Sequence, residues 1–216
     1  MNSEQLETLI ERDQKQEIFD LLSKNPELAE KETSLGISPV LLACYYKKTA
    51  IANIIAQFSK SLTLFDWCAI GNYDQAHHFL QLNPDNVNSF SKDGFTPLGL
   101  AAYFGHENLC RLLISKGAEV NVPANNGFNV YPIHSAVSAR SYGITEMLLE
   151  AGAEVNVKQQ AGFTALHAAA QLGEIEIIIL LLEHGAELNT RMEGGKLPAD
   201  LAEEKGFTEI AAILQL

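Results

Sequence analysis

The apolar residues of this chain fall in short helical stripes rather than in strict alternation. Leu112-Leu113 and Leu181-Leu182 supply the apolar stripe of an amphipathic helix. Each is preceded by small residues, Ala101-Ala102 or Ala168-Ala169, which let neighbouring helices approach closely. Gly105 and Gly173 separate the two stretches. Gly117, Gly152 and Gly185 fall where a helix stops on a left-handed residue. The pattern predicts pairs of short helices joined by a turn. The longest run of Ile and Leu, Ile177 to Leu182, is far short of the ~20 residues a membrane span needs.

This pattern recurs. Residues Asp93–Asn121 and Gly162–Asn189 share Gly-Phe-Thr, Ala-Ala, a central glycine, Leu-Leu and Gly-Ala-Glu. Between them, Tyr131-Pro132-Ile133-His134-Ser135-Ala136 occupies the slot of Thr96-Pro97-Leu98-Gly99-Leu100-Ala101. Equivalent starts at Thr96, Tyr131, Thr164 and Leu197 lie 35, 33 and 33 residues apart. Such a period marks a solenoid, because no pair buries its own apolar face and neighbours must stack. Thr96 and Thr164 suit helix N-caps, and Pro97 suits the first helical position.

The N-terminal half is degenerate but readable. Gly36-Ile37-Ser38-Pro39-Val40-Leu41-Leu42-Ala43-Cys44 copies the entry pattern, with a second helix near Thr49–Gln57. The next first helix is expected near Leu62–Ile70, turning at Gly71-Asn72. Ser38 to Leu62 is only 24 residues, so the finger between these repeats is expected to be missing. Glu4–Arg12 and Gln14–Ser23 read as a polar capping pair stopped by Asn25-Pro26. Pro198–Lys205 and Thr208–Leu214 form a short final pair.

These residues resemble the ankyrin repeat, whose signature runs G-x-T-P-L-H-x-A-A, Gly, Leu-Leu, G-A-x-x-N. The match is clear from Lys92 to Leu216 and weaker before it. The resemblance implies an all-α solenoid of about seven stacked helix–turn–helix pairs with short hairpin-like fingers. It divides one domain, 1–216, into capping pairs at 1–32 and 192–216 and repeats at 33–60, 61–91, 92–124, 125–158 and 159–191. It also implies that His134 and His167 tie neighbouring turns together. Ligands would lie in a concave groove lined by finger tips and first-helix edges. The candidate partner-binding residues there are Tyr45, Tyr46, Phe95, Tyr103, Phe104, Phe163 and Leu172. Aromatic anchors of this kind dominate protein-binding hot spots. For Phe95 and Phe163, and also for Tyr103 and Phe104, the competing expectation is core packing. Phe128 joins the set from the tip of a longer finger, in a repeat that also replaces its capping Thr by Tyr131 and its turn glycine by Arg140; the alternative is a neutral, drifted repeat.

Charge narrows the partner. The formal net charge is −12, which argues against nucleic acid and an anionic membrane surface and leaves room for a basic protein or peptide. Glu4, Glu7, Glu11, Asp13, Glu17 and Asp20 concentrate acidity at the start, either as a solvated face or as a steering surface. Cys44, Cys68 and Cys110 match no zinc or redox spacing, and their odd number argues against a disulfide framework. With no secretory signal in MNSEQLETLI, a reducing cytoplasm is expected. His77-His78 point ~100° apart on a helix and chelate one ion poorly. His106 is expected to help start its helix, and Asn121, Asn156 and Asn189 to bond their local turn backbone. No nucleophile–base pair, phosphate loop or dinucleotide fingerprint appears, so no catalysis, metal or cofactor is expected. The expected function is a monomeric protein-interaction scaffold. The alternative is a structural or self-associating repeat protein.

Overall fold

Ser38-Pro39 and Thr96-Pro97 open helices for the reason their order suggests. The two hydroxyls each accept the N–H three residues on, at 3.0 Å, while proline fills the first helical position. The computed structural model describes residues 3–215. Its helices fall in seven successive pairs. Pair 1 is α1 (Ser3–Glu11) and α2 (Lys15–Lys24), and pair 2 is α3 (Pro39–Tyr45) and α4 (Thr49–Phe58). Pair 3 is α5 (Leu64–Ile70) and α6 (Tyr73–Leu82), and pair 4 is α7 (Pro97–Tyr103) and α8 (Glu107–Ser115). Pair 5 is α9 (Pro132–Ser138) and α10 (Tyr142–Glu150), and pair 6 is α11 (Ala165–Leu172) and α12 (Ile175–Glu183). Pair 7 is α13 (Pro198–Glu204) and α14 (Thr208–Ile213).

One apolar core runs the length of the stack, from Leu6 in α1 to Leu214 after α14. Small buried residues at Ala43, Cys68, Ala101, Ala136, Ala169 and Ala202 let successive first helices meet. From pair 2 onward the first helices pack more closely than the second ones, so the stack curves toward the first-helix side. The three thiols are free and buried; loss of hydration pushes Cys44 and Cys110 each up to about 12, and Cys68 rises for the same reason.

Turns repeat a single geometry. Gly71, Gly105, Gly173 and Gly206 take positive φ, and Asp13, Lys47 and Arg140 adopt it at 57°, 58° and 56° without being glycine. At four interfaces the residue after a turn reaches back to the preceding turn. Lys48 pairs with Asp13 at 3.6 Å and Glu174 with Arg140 at 2.6 Å, while His106 covers Gly71 and Phe207 covers Gly173. This corrects the expected role of His106. Its ring does not cap α8; Nε2 donates to the Ala69 carbonyl at 3.0 Å, joining pair 4 to pair 3.

A second ladder joins the ends of the second helices. Asn121 Nδ2 donates to the Gly152 carbonyl at 2.9 Å, and its Oδ1 accepts the Glu154 N–H at 2.8 Å. Asn156 makes the same two bonds to Gly185 and Glu187, both at 2.9 Å. These asparagines therefore bond across the repeat interface, not within their own turn as expected. Asn88 does the same to Gly117 and Glu119, at 3.1 and 2.9 Å. Replacing Asn156 with alanine is expected to cost ~1–2 kcal/mol, two hydrogen bonds at a partly solvated site, read as a lower urea midpoint.

Fingers are tight turns, and among the described residues they contain no strand. Each is closed across its root by a main-chain bond, such as Ser91 N–H to the Phe95 carbonyl at 2.9 Å. Adjacent tips are tied as well: Asn125 donates to Gly94 at 2.9 Å, Gln160 to Phe128 at 2.8 Å and Glu193 to Ala161 at 2.7 Å. Between α4 and α5 only Ser59–Leu62 and the cap Thr63 remain, and no finger forms there.

Candidate partner-binding groove

On the first-helix edges the aromatic residues of pairs 2 and 4 meet. Tyr45 lies 5.9 Å from Tyr103 and 5.5 Å from Phe104, centroid to centroid, and Tyr103 lies 5.1 Å from Phe104. The helix between them, α5, offers the buried Ala69 at this slot. That small side chain leaves room for Tyr45 to pass over pair 3. The Tyr45 hydroxyl donates to Asp93 in the finger of pair 4 at 2.5 Å, and burial together with this bond pushes its pKa up. Tyr45 and Phe104 are half-buried, whereas Tyr103 remains 41% exposed.

Other expected site residues are spread along the stack. Tyr46 is also exposed, and its hydroxyl donates to Glu11 of α1 at 2.7 Å. Phe95 and Phe163 are half-buried and pack on the core at the roots of their fingers, Phe163 lying 5.4 Å from the His167 ring. Leu172 is half-buried at the end of α11. Phe128 projects from its finger tip with 57% of its surface exposed, and its N–H is held by Asn126 at 3.1 Å. Among the described residues no ring contact joins Phe128 or Phe163 to the Tyr45 cluster.

His134 and His167 point into the stack. Nδ1 of each accepts the main-chain N–H three residues earlier, Tyr131 or Thr164, at 3.2 Å. His167 Nε2 also reaches the Lys196 carbonyl of the next finger at 3.4 Å. His134 Nε2 is buried with no hydrogen-bond partner. Desolvation lowers its pKa to about 4, and it lowers that of His167 as well. Both rings are therefore neutral packing elements near pH 7.

Three of the acidic residues at the start of the chain join pair 1 to pair 2. Glu7 accepts the Ser34 N–H at 2.9 Å, Glu11 accepts the Tyr46 hydroxyl, and Asp13 faces Lys48. Two carboxylates went unnoticed in the sequence. Glu30 receives Ser59 and Ser61 hydroxyls and the Lys60 N–H. Burial acts to raise its pKa, but those hydrogen bonds outweigh burial and hold it below the usual value. Asp66, 3% exposed, accepts from Ser38 and from both the N–H and hydroxyl of Thr63, at 2.9 and 2.7 Å for the latter two. The Thr63-x-x-Asp66 spacing is a readable capping box. It places the N-cap at Thr63, one residue past the Leu62 start that the spacing suggests. Among the described residues no group of three His, Cys, Asp or Glu side chains is placed to hold a metal ion, and no helix is long and apolar enough to cross a membrane.

Stacked helix pairs tied turn to turn, asparagine to turn and finger to finger define a helical repeat solenoid. A family model for ankyrin repeats matches three times, over residues 8–122, 64–159 and 133–215. The chain belongs to the ankyrin-repeat family, whose repeats are generally protein-interaction modules and typically non-catalytic. It is 32% identical over 124 residues to alpha-latrocrustotoxin-Lt1a of Latrodectus tredecimguttatus, covering 54% of this chain and 9% of the toxin. It is 34% identical over 101 residues to the serine/threonine-protein kinase TNNI3K of Mus musculus, covering 41% and 12%. It is 36% identical over 89 residues to ankyrin repeat and SOCS box protein 3 of Homo sapiens, covering 40% and 17%. The chain thus spans less than one fifth of each of these relatives.

Proposed function

We propose that this chain is a non-catalytic scaffold that holds a partner protein or peptide in the groove formed by its first-helix edges and fingers. The carrying observation is the aromatic cluster of Tyr45, Tyr103 and Phe104, with Tyr46 and Tyr103 each 41% exposed on that side. Large aromatic surface at low entropy cost is what interface anchors use. A net charge of −12 supports a basic partner, and three free buried thiols support a reducing compartment such as the cytoplasm. The scaffold acts as a monomer whose groove is open to that partner.

Tyr103→Ala combined with Phe104→Ala is expected to weaken capture of the native partner about tenfold or more. The measurement is affinity capture from the source cell with quantitative mass spectrometry, after circular dichroism has shown the variant folded. Unchanged capture by the folded double variant rules the groove out. A stable oligomer in light scattering would favour self-association instead.

A further inference from the structure

The missing finger leaves more than a short connection. Fingers 2 and 4, residues 33–37 and 91–95, flank an open space above the start of α5. The resulting cleft has a volume of about 450 Å³, within the ~300–1,000 Å³ range of ligand sites. Its apolar wall is made by Ile37, Val40, Leu41, Leu62 and Phe65, with Phe90 at 41% exposure on the rim.

Two kinds of group in this cleft lack their expected complement. The first is main-chain. Consecutive fingers are joined by an N–H donated from the second residue of one finger to the tip before it, as Asn125, Gln160 and Glu193 do. Lys92 holds that position in the finger of pair 4, and among the described residues its N–H meets no main-chain acceptor. The second is charge. Glu30, Glu32 and Asp66 line the cleft, and Lys92 is the only cation among the lining residues. Lys92 is paired with Glu32, while Glu30 and Asp66 are held by neutral hydroxyl and N–H donors alone. The cleft is therefore apolar at the wall, net negative at the rim and short of a main-chain acceptor.

We propose that this cleft is the specificity pocket of the groove, filled by an extended partner segment that presents an apolar side chain beside a Lys or Arg. The partner main chain takes the place of the absent finger tip and accepts the Lys92 N–H. Its apolar side chain occupies the wall, and its cation sits opposite Glu30 and Glu32. The cleft is continuous with the aromatic cluster, because one finger carries Ser91 and Lys92 on the cleft and Asp93 on Tyr45. This inference rests on the groove being the binding surface.

A random-peptide phage library panned on the whole chain tests it, with counter-selection on Leu62→Trp protein, in which the cleft is filled. Clones that prefer the wild type by about tenfold or more are expected, with a consensus of one large apolar residue next to Lys or Arg. Glu32→Arg, which leaves the walls intact, is expected to weaken those clones about tenfold, and it keeps the test decisive if Leu62→Trp does not fold. Absence of clones sensitive to either variant overturns the proposal, as does an acidic or uncharged consensus. Clones that lose binding only to the Tyr103→Ala, Phe104→Ala protein overturn the cleft while leaving the groove reading in place.

Discussion

Gly94→Ala is expected to destabilise the array by about 2–5 kcal/mol, the larger of two costs being steric. Gly94 is buried at the tip of the finger of pair 4 with φ at +84°, a region that penalises any Cβ. A Cβ there would lie 2.5 Å from Asn125 Oδ1 and 2.9 Å from the Asn126 nitrogen. The second contact is main chain and does not swing away. The finger of pair 5 must then move, and the bond from the Asn125 N–H to the Gly94 carbonyl goes with it. Gly117→Ala supplies the control. Its φ is +90°, yet open space surrounds the new methyl group, so only the ~1–2 kcal/mol of backbone strain applies. Urea unfolding of both variants separates the two costs. Equal losses would show that the finger stack is not closely packed.

Acidification is the second large effect. The unfolded His134 ring titrates near 6.5 and the folded one at about 4. Between those values the unfolded chain binds a proton that the native state refuses. Stability is therefore whole above pH ~6.5 and falls as the pH drops toward 4. At pH ~4.5 the loss from His134 is on the order of 2–3 kcal/mol, with His167 adding in the same direction. His134→Gln removes the titration, while lowering stability at neutral pH by exchanging the ring that accepts the Tyr131 N–H. Urea midpoints taken from pH 7 to 4.5 should fall more steeply for the wild type than for the variant. Parallel curves would show that the ring is hydrated in solution.

Periodicity made most of the fold readable. Prolines, glycines and paired leucines report their own local geometry, so the seven pairs and the lost finger followed from spacing. The cross-repeat bonds did not, because each partner lies in the neighbouring repeat. Asn88 is such a case: it ends a 3-10 turn, Pro84–Asn88, which has a counterpart in Pro26–Glu30. That correspondence makes Glu30 the equivalent of Asn88, a different side chain with the same task of receiving an N–H from the next pair. Aligning Asn25-Pro26 with Asn83-Pro84 would have exposed it; reading the first as a simple stop hid it. The candidate groove was legible only as slots. Whether a slot residue stays exposed depends on its neighbours, and Tyr45 is half-buried because Ala69 lets it reach Asp93. Phe128 is exposed at its finger tip although its carbonyl ties that tip to Gln160 of the next finger.

A repeat array is ordinarily described by the stability of each unit and one coupling to each adjacent unit. Here several contacts step over a unit. Tyr45 joins Asp93, Tyr103 and Phe104, and Lys92 joins Glu32 at the entry to the finger of pair 2, linking that region to pair 4 across pair 3. Unfolding of pair 3 alone would strain or break ties between units that remain folded. Pairs 2 to 4 should therefore melt as one cooperative block, and a nearest-neighbour partition function fitted to truncated forms of the chain should need an extra term for that block alone.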